Sequence, residues 1–221
     1  IIPLSPAQDH KAIFDGDEGP NTGGMGAYSP TPFVNDEMEE KILEEILQPT
    51  IEAFQKEGIK YKGILYAGLI LTDMGPKVLE FNARLGDPET QVILPRLKND
   101  LVDLMFKVVD EELKDVDIRI KEEAAVCVVL ASGGYPLTYK TGKKITGLDE
   151  LNKFDNVLVF HAGTEKIKKD FVTDGGRVLG ITVLEKGLFN TINETYEMVE
   201  KVNFEDMHYR TDIGFNAAQY E

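Results

Sequence analysis

Glu80, Asn82 and Arg84 stand two residues apart in "KVLEFNARL", Lys77 to Leu85. The run reads as a β-strand, in which alternate side chains share a face. One face then offers a carboxylate, an amide oxygen and, if the strand persists to it, a guanidinium, within about 14 Å at ~3.4 Å per residue. Carboxylate plus carbonyl-type oxygen suits a hard cation such as Mg²⁺, which takes one or two protein oxygens and keeps water and phosphate for the rest. The planar fork of arginine suits phosphate or carboxylate. Leu79 and Phe81 are expected to point into the opposite layer. Read in isolation, the triplet also fits a solvated strand face with an Arg–Glu ion pair. Asp87 reads as the N-cap of a helix whose first residue is Pro88.

A second cluster is "GDEGPNTGGMGAYSP", residues 16–30. Gly16, Gly19, Gly23, Gly24 and Gly26 place backbone freedom beside Asp15, Asp17 and Glu18. Either this is a turn-rich connection, or its amides and side chains wrap a ligand. The residues leave both readings open.

The elements that must position these groups follow from periodicity. Ile42, Leu43, Ile46, Leu47, Ile51 and Phe54 recur at helical spacing, with Asn35 or Asp36 as N-cap and Gly58 as the stop. Pro49 falls inside this run and predicts a kink or two consecutive helices. "GILYAGLILT" and "KVLEFNARL" flank "DMGP" and read as an antiparallel hairpin. Leu101, Leu104, Met105 and Val108 mark a helix beginning near Asp100. Beyond the charged stretch Lys114 to Glu123, "AAVCVVLA", "VLVFHAG" and "RVLGITVL" read as short strands, "TDGGR" as a turn, and Leu188 to Val202 as a helix. The sequence predicts an α+β protein in two parts, 1–118 and 119–221.

Composition limits the partners. The 221 residues carry 24 Lys and Arg against 39 Asp and Glu, a formal charge of −15, with no basic stripe. Nucleic acid and anionic membrane surfaces are poor partners for such a chain. An anionic substrate would need local cations, of which a divalent metal is the simplest. Cys127 is the only cysteine and reads as a small buried residue. No apolar run nears the ~20 residues of a membrane helix, and the expected location is the cytoplasm. The opening "IIPLSPAQDH" lacks a methionine and reads as the end of a strand already under way, as a fragment would.

"EFNARLGDPETQVILPRL" (Glu80 to Leu97), with "QDHK" (Gln8 to Lys11) and "GPNTGGMGAYSP" (Gly19 to Pro30), resembles the phosphoribosylamine–glycine ligases, also called glycinamide ribonucleotide synthetases, of the ATP-grasp superfamily. "SGGYP" (Ser132 to Pro136), "FHAGT" (Phe160 to Thr164) and "TDGGRVLGITV" (Thr173 to Val183) extend the resemblance through the tail. It implies the C-terminal part of an ATP-grasp domain, an antiparallel sheet with helices, followed by a small β-rich domain. It implies a carboxylate–amine ligase of purine biosynthesis, joining glycine to 5-phosphoribosylamine with ATP through glycyl phosphate.

By that resemblance Glu80 and Asn82 hold Mg²⁺ or Mn²⁺, Arg84 neutralises the transferring phosphoryl group, and Asp87 holds the glycine ammonium. His10, Lys11, Asn21, Thr22, Gly23, Gly24 and Gly26 line the ATP and substrate side. Many ATP-grasp enzymes carry a further ligand about twelve residues before the glutamate; here that place is Gly68. The resemblance also implies a preceding half, with the adenine site, without which this chain is inactive. The alternatives are another ATP-grasp carboxylate–amine ligase, or a folded fragment without catalysis.

Overall fold

A computed structural model describes residues 1–220. In chain order the first elements are β1 (Gln8–Asp9), β2 (Ala12–Phe14), β3 (Glu18–Asn21) and β4 (Gly26–Ser29), then α1 (Asp36–Ile42) and α2 (Gln48–Lys56). The β5 (Tyr66–Thr72) and β6 (Gly75–Asn82) hairpin, α3 (Thr90–Ile93) and α4 (Leu101–Val109) follow. The tail holds β7 (Ala124–Ser132), α5 (Leu148–Leu151), β8 (Val157–His161), β9 (Thr164–Ile167) and β10 (Asp170–Thr173). It ends with β11 (Arg177–Glu185), α6 (Leu188–Val199), β12 (Met207–His208) and α7 (Phe215–Ala218). The protein is α+β with antiparallel pairing throughout.

Two compact units interleave along the chain. One gathers Ile1–Ser5, Pro32–Gly86 and Leu97–Ile120; the other gathers Pro6–Thr31, Asp87–Arg96 and the residues from Lys121 onward.

In the first unit Asn35 caps α1, its Oδ1 accepting the Met38 amide at 2.9 Å. The helical run divides into two consecutive α-helices, α1 and α2, with Pro49 in the first turn of the second. Leu43–Leu47 forms a π-turn in which the Gln48 amide reaches back to Leu43 O, and the backbone stays helical on both sides. A wider turn makes room for a ring that would otherwise crowd the preceding carbonyl. Gly58 ends the run, with Ile59 N–H closing onto Phe54 O at 2.8 Å. Asp100 caps α4 through the amides of Val102 and Asp103. Of α4, Leu101, Leu104 and Val108 are half-buried, whereas Val102, Met105, Phe106 and Val109 form an exposed apolar stripe. Leu79 and Phe81 are also exposed, at 66% and 42%, rather than sunk in an apolar layer. The hairpin is a two-stranded sheet by itself.

In the second unit the sheet order is β1-β4-β7-β11-β8, with β12 also paired to β7. All nine residues of β7 are buried, so the strand reads as an unbroken apolar run. Val126, Val128 and Leu130 join the main core with Ile181, Val183 and Ile192, the last of these from α6. Ala125 and Cys127 face Val92 of α3 and Ala27. That second face is narrow, which explains its small side chains. Burial pushes the Cys127 thiol up to about 12, leaving it inert. The β9–β10 hairpin carries no clear signal in the sequence, and the opening segment supplies only the two residues of β1.

Asp87 does not cap a helix. α3 begins at Thr90, Glu89 occupies the cap position and its side chain does not cap the helix, and the Asp87 carboxylate is taken by Gln91 and Arg177 instead. Two of the three acids beside the glycines, Asp15 and Asp17, are engaged within the fold. Arg210, 1% exposed, donates from Nε and Nη2 to both oxygens of Asp212 and from Nη1 to Asp17, each at 2.7 Å. Asp15 accepts the Thr211 amide at 2.8 Å and its hydroxyl, and Gly16 N–H donates to Asp212 at 2.8 Å. These carboxylates fasten the glycine-rich segment to the tail. Arg210→Met should therefore lose about 2–3 kcal/mol, the scale of charge-assisted hydrogen bonds, in urea denaturation; an unchanged midpoint would contradict this role.

Candidate functional site

The first unit carries the carboxylate–amide pair. A β-bulge at Leu79 separates the pairs Leu69↔Val78 and Gly68↔Glu80, after which the ladder is regular to Tyr66↔Asn82. Glu80 and Asn82 therefore lie beyond the bulge, two residues apart in undisturbed strand, and alternation puts them on one face. Glu80 is exposed and Asn82 half-buried. Among the described residues no group of three His, Cys, Asp or Glu side chains is placed to hold a metal ion. One carboxylate and one amide oxygen, both accessible, fit a hard divalent cation that keeps further positions for water and phosphate. Gly68 faces Glu80 across the ladder, and a Cβ there would lie 3.0 Å from Glu80 Cγ. The bare position leaves room for the glutamate stem. Arg84 lies past the end of β6, on an exposed bend, its Nη1 donating to Leu85 O at 3.1 Å. The strand does not persist to it, so Arg84 reaches from a loop.

The second unit gathers the glycine loop, Asp87 and a residue the sequence reading missed, Arg177. Its Nη1 lies 3.0 Å from Gly23 O, 3.1 Å from Asp87 O and 3.1 Å from Asp87 Oδ1. Gly23 N–H donates to the Tyr135 hydroxyl at 3.0 Å. A Cβ on Gly23 would stand 2.9 Å from Arg177 Cζ and 3.0 Å from its Nη2, so the guanidinium lies flat against a bare Cα. Gly24, at φ +116°, would place a Cβ 2.3 Å from Pro88 Cδ. Gly26 belongs to β4, opposite Val128. The loop amides are engaged within the fold: Thr22 N–H on Lys11 O, Gly24 N–H on Thr22 Oγ1, Met25 N–H on His10 O. These glycines permit close packing; their amides are not turned toward a phosphate. The tail signatures converge here as well. Tyr135 comes from "SGGYP", Gly163 of "FHAGT" donates to Arg177 O at 2.9 Å, and Ser132 Oγ donates to Gly175 O at 2.8 Å.

Among the upstream residues, His10 is a core group rather than a surface one. It is 7% exposed, and burial, with the Arg210 charge, holds its pKa below the ordinary value. A neutral buried imidazole is poorly placed for phosphate contact. Lys11 is half-exposed and pairs with Asp9 at 2.9 Å. Asn21 is exposed at the end of β3, and the Thr22 hydroxyl donates to Lys11 O at 2.8 Å. In the sequence Arg177 looked like an ordinary strand residue after a turn. The available signal was two adjacent glycines before an arginine that opens an apolar strand.

These features define an ATP-grasp fold. The biotin carboxylase of Campylobacter jejuni has the same fold at 14% identity and a TM-score of 0.60, covering 89% of this chain and 42% of that one. The family model "Phosphoribosylglycinamide synthetase, ATP-grasp (A) domain" matches residues 1–90, and "Phosphoribosylglycinamide synthetase, C domain" matches 125–216. The chain belongs to the phosphoribosylglycinamide synthetase family. It is 49% identical over 217 residues to the phosphoribosylamine–glycine ligase of Halalkalibacterium halodurans, covering 98% of this chain and 50% of that one. It is 51% identical over 221 residues to the trifunctional purine biosynthetic protein adenosine-3 of Gallus gallus, covering 22% of that protein. The crystal structure of phosphoribosylamine–glycine ligase from Thermotoga maritima matches with a TM-score of 0.82 at 38% identity, over 95% of this chain and 51% of that one. The chain thus spans about half the length of the single-enzyme relatives.

Asp9 lies beneath Gly24, whose Cβ would meet its Oδ1 at 2.7 Å. Burial first, and the neighbouring Glu89 charge, push its carboxyl up to about 6 despite the Lys11 pair. The folded state therefore keeps this proton to higher pH than the unfolded chain does. The contribution is fully present below pH ~4 and is lost as pH rises through ~6, at most about 3 kcal/mol at ~1.4 kcal/mol per pH unit. Urea denaturation of the wild type and of Asp9→Asn at pH 4 and pH 7 tests this. The variant should gain stability relative to wild type at pH 7; an equal difference at both pH values would contradict the raised carboxyl.

Proposed function

We propose that this chain is the metal- and acyl-phosphate-bearing part of a phosphoribosylamine–glycine ligase of purine biosynthesis. In the complete enzyme glycine, 5-phosphoribosylamine and ATP give glycinamide ribonucleotide, ADP and phosphate. The observation that carries the reading is Glu80 and Asn82 side by side on β6, within a chain whose family models span both its ends. A glycine carboxylate oxygen attacks the terminal phosphorus and ADP leaves. The sugar amine then attacks the acyl carbon of glycyl phosphate, the phosphate leaves, and the amine proton goes to solvent or base.

The obstacle in the first step is repulsion between carboxylate and polyanion, about 4 kcal/mol per pair of unit charges 4 Å apart at an effective dielectric of 20. Glu80 and Asn82 would hold Mg²⁺ or Mn²⁺, which supplies charge neutralisation at the phosphate oxygens. Arg84, exposed on its bend, is suited to the transferring phosphoryl group and the acyl phosphate. Asp87 is suited to the glycine ammonium, since Oδ1 is engaged by Arg177 and Gln91. Lys11 remains suited to a phosphate.

The reading also assigns a preceding half, on which the nucleotide base would sit, as this chain's partner. What supports it is apolar surface in the first unit: the α4 stripe Val102, Met105, Phe106 and Val109, and Leu79 and Phe81 of the hairpin. Apolar faces of this kind are expected to be covered. A cytoplasmic setting fits a chain whose single cysteine is a buried thiol.

The test uses the complete protein. Glycine-dependent release of phosphate from ATP should require 5-phosphoribosylamine for turnover, and Glu80→Gln should raise the Mg²⁺ needed for half-maximal rate about tenfold or more, with the fold retained by circular dichroism. Unchanged metal dependence would remove Glu80 as a ligand, and phosphate release indifferent to glycine would remove the function.

A further inference from the structure

We infer that Arg177 is a positioning residue for amino-acid substrate binding, holding Asp87 so that one carboxylate oxygen stays open to a primary ammonium. The inference rests on the proposed ligase reading and deepens it at Asp87. Three observations carry it. First, both side-chain contacts to Asp87, from Arg177 Nη1 at 3.1 Å and Gln91 Nε2 at 2.9 Å, fall on Oδ1. Oδ2 takes neither, and the side chain is 53% exposed. A carboxylate gripped by one oxygen from two directions has its plane fixed, and its second oxygen becomes an oriented acceptor.

Second, Arg177 itself is held where it must be. Its side chain is 21% exposed, and the same Nη1 reaches Gly23 O and Asp87 O, tying two distant loops together. Its guanidinium lies against Gly23, where any Cβ would be 2.9–3.1 Å from Cζ, Nη2 and Nε. Real Cβ atoms do not pack that closely on a rigid plane, so Gly23 serves as the seat of the arginine. Tyr135 fixes that seat from the other side through the Gly23 amide.

Third, the chemistry suits a small amino acid. An ammonium needs an anionic acceptor in a fixed direction, and a charge-assisted hydrogen bond rewards that geometry. Behind metal ligands such orienting partners matter 10–100-fold, and the same logic of orientation applies to a carboxylate that receives an ammonium. Asp87 left without Arg177 keeps its charge but loses its direction.

The complete protein tests this with two variants. Arg177→Met removes the clamp; Gly23→Ala keeps the arginine but pushes it off its seat. Both should raise KM for glycine about tenfold or more, leaving KM for ATP close to wild type. Arg177→Lys, with charge but no planar fork, should fall between. An unchanged glycine KM in the two main variants overturns the inference while leaving the ligase reading intact. A joint shift of both KM values with a lowered midpoint also overturns it, since that marks a purely structural role. If Arg177→Met does not fold, Gly23→Ala decides by the same criteria. A wild-type protein that does not use glycine refutes the ligase reading itself.

Discussion

The pairing of β4 with β7 is the constraint on which the second unit depends. Gly26 lies opposite Val128 and Ser29 opposite Ala125, so a strand from the beginning of the chain is built into a sheet from its end. That pairing draws the glycine-rich segment against the tail, and everything around Gly23 follows from it. β7 can accept the strand because all nine of its residues are buried, with α6 on one face and α3 on the other. The narrow second face explains Ala125 and Cys127 without any chemical role for the thiol. Asp15 and Asp17 then lie within reach of Thr211 and Arg210, which turns an acidic, glycine-rich stretch from a liability into a fastening.

Charge is distributed with the same economy. In a chain of formal charge −15, three arginines of the second unit are engaged inside the fold. Arg96 donates to Glu123 O and Ser29 Oγ, Arg210 to Asp17 and Asp212, and Arg177 to the loops at Gly23 and Asp87. Buried guanidinium groups of this kind must be paired, because an unpaired buried charge is costly. In the first unit the pattern is reversed: Glu80 and Arg84 stand exposed. A carboxylate beside an amide oxygen on a strand edge is suited to a cation, and a loop arginine to an anion.

Local signals were legible where they are short-ranged. Asn35, Asp100 and Gly58 mark helix ends by their own side-chain or backbone chemistry, and the hairpin turn and the register of Glu80 with Asn82 follow from alternation. Pro49 marks the start of a second helix, as a proline in the first helical turn does, and the π-turn before it is the detail that local signals did not carry. Asp87 before Pro88 carries every local mark of a cap, but a distant arginine competes for the carboxylate and wins. The glycine loop suggested phosphate binding because glycine lets amides approach a ligand; the same bareness serves the approach of Arg177. Leu79 and Phe81 follow the apolar pattern of a covered face, but the cover is not supplied by the hairpin. What sequence could not supply, in each case, is the identity of the residue that arrives from elsewhere in the chain.

The central proposal, that the complete protein activates a carboxylate by phosphorylation, is tested most directly by isotope transfer. The complete protein is given glycine labelled with ¹⁸O in both carboxylate oxygens, together with ATP and 5-phosphoribosylamine, and the released phosphate is analysed by mass spectrometry. Attack by a carboxylate oxygen on phosphorus predicts one ¹⁸O carried into each phosphate released. Phosphate without the label would contradict an acyl phosphate and the account built on it.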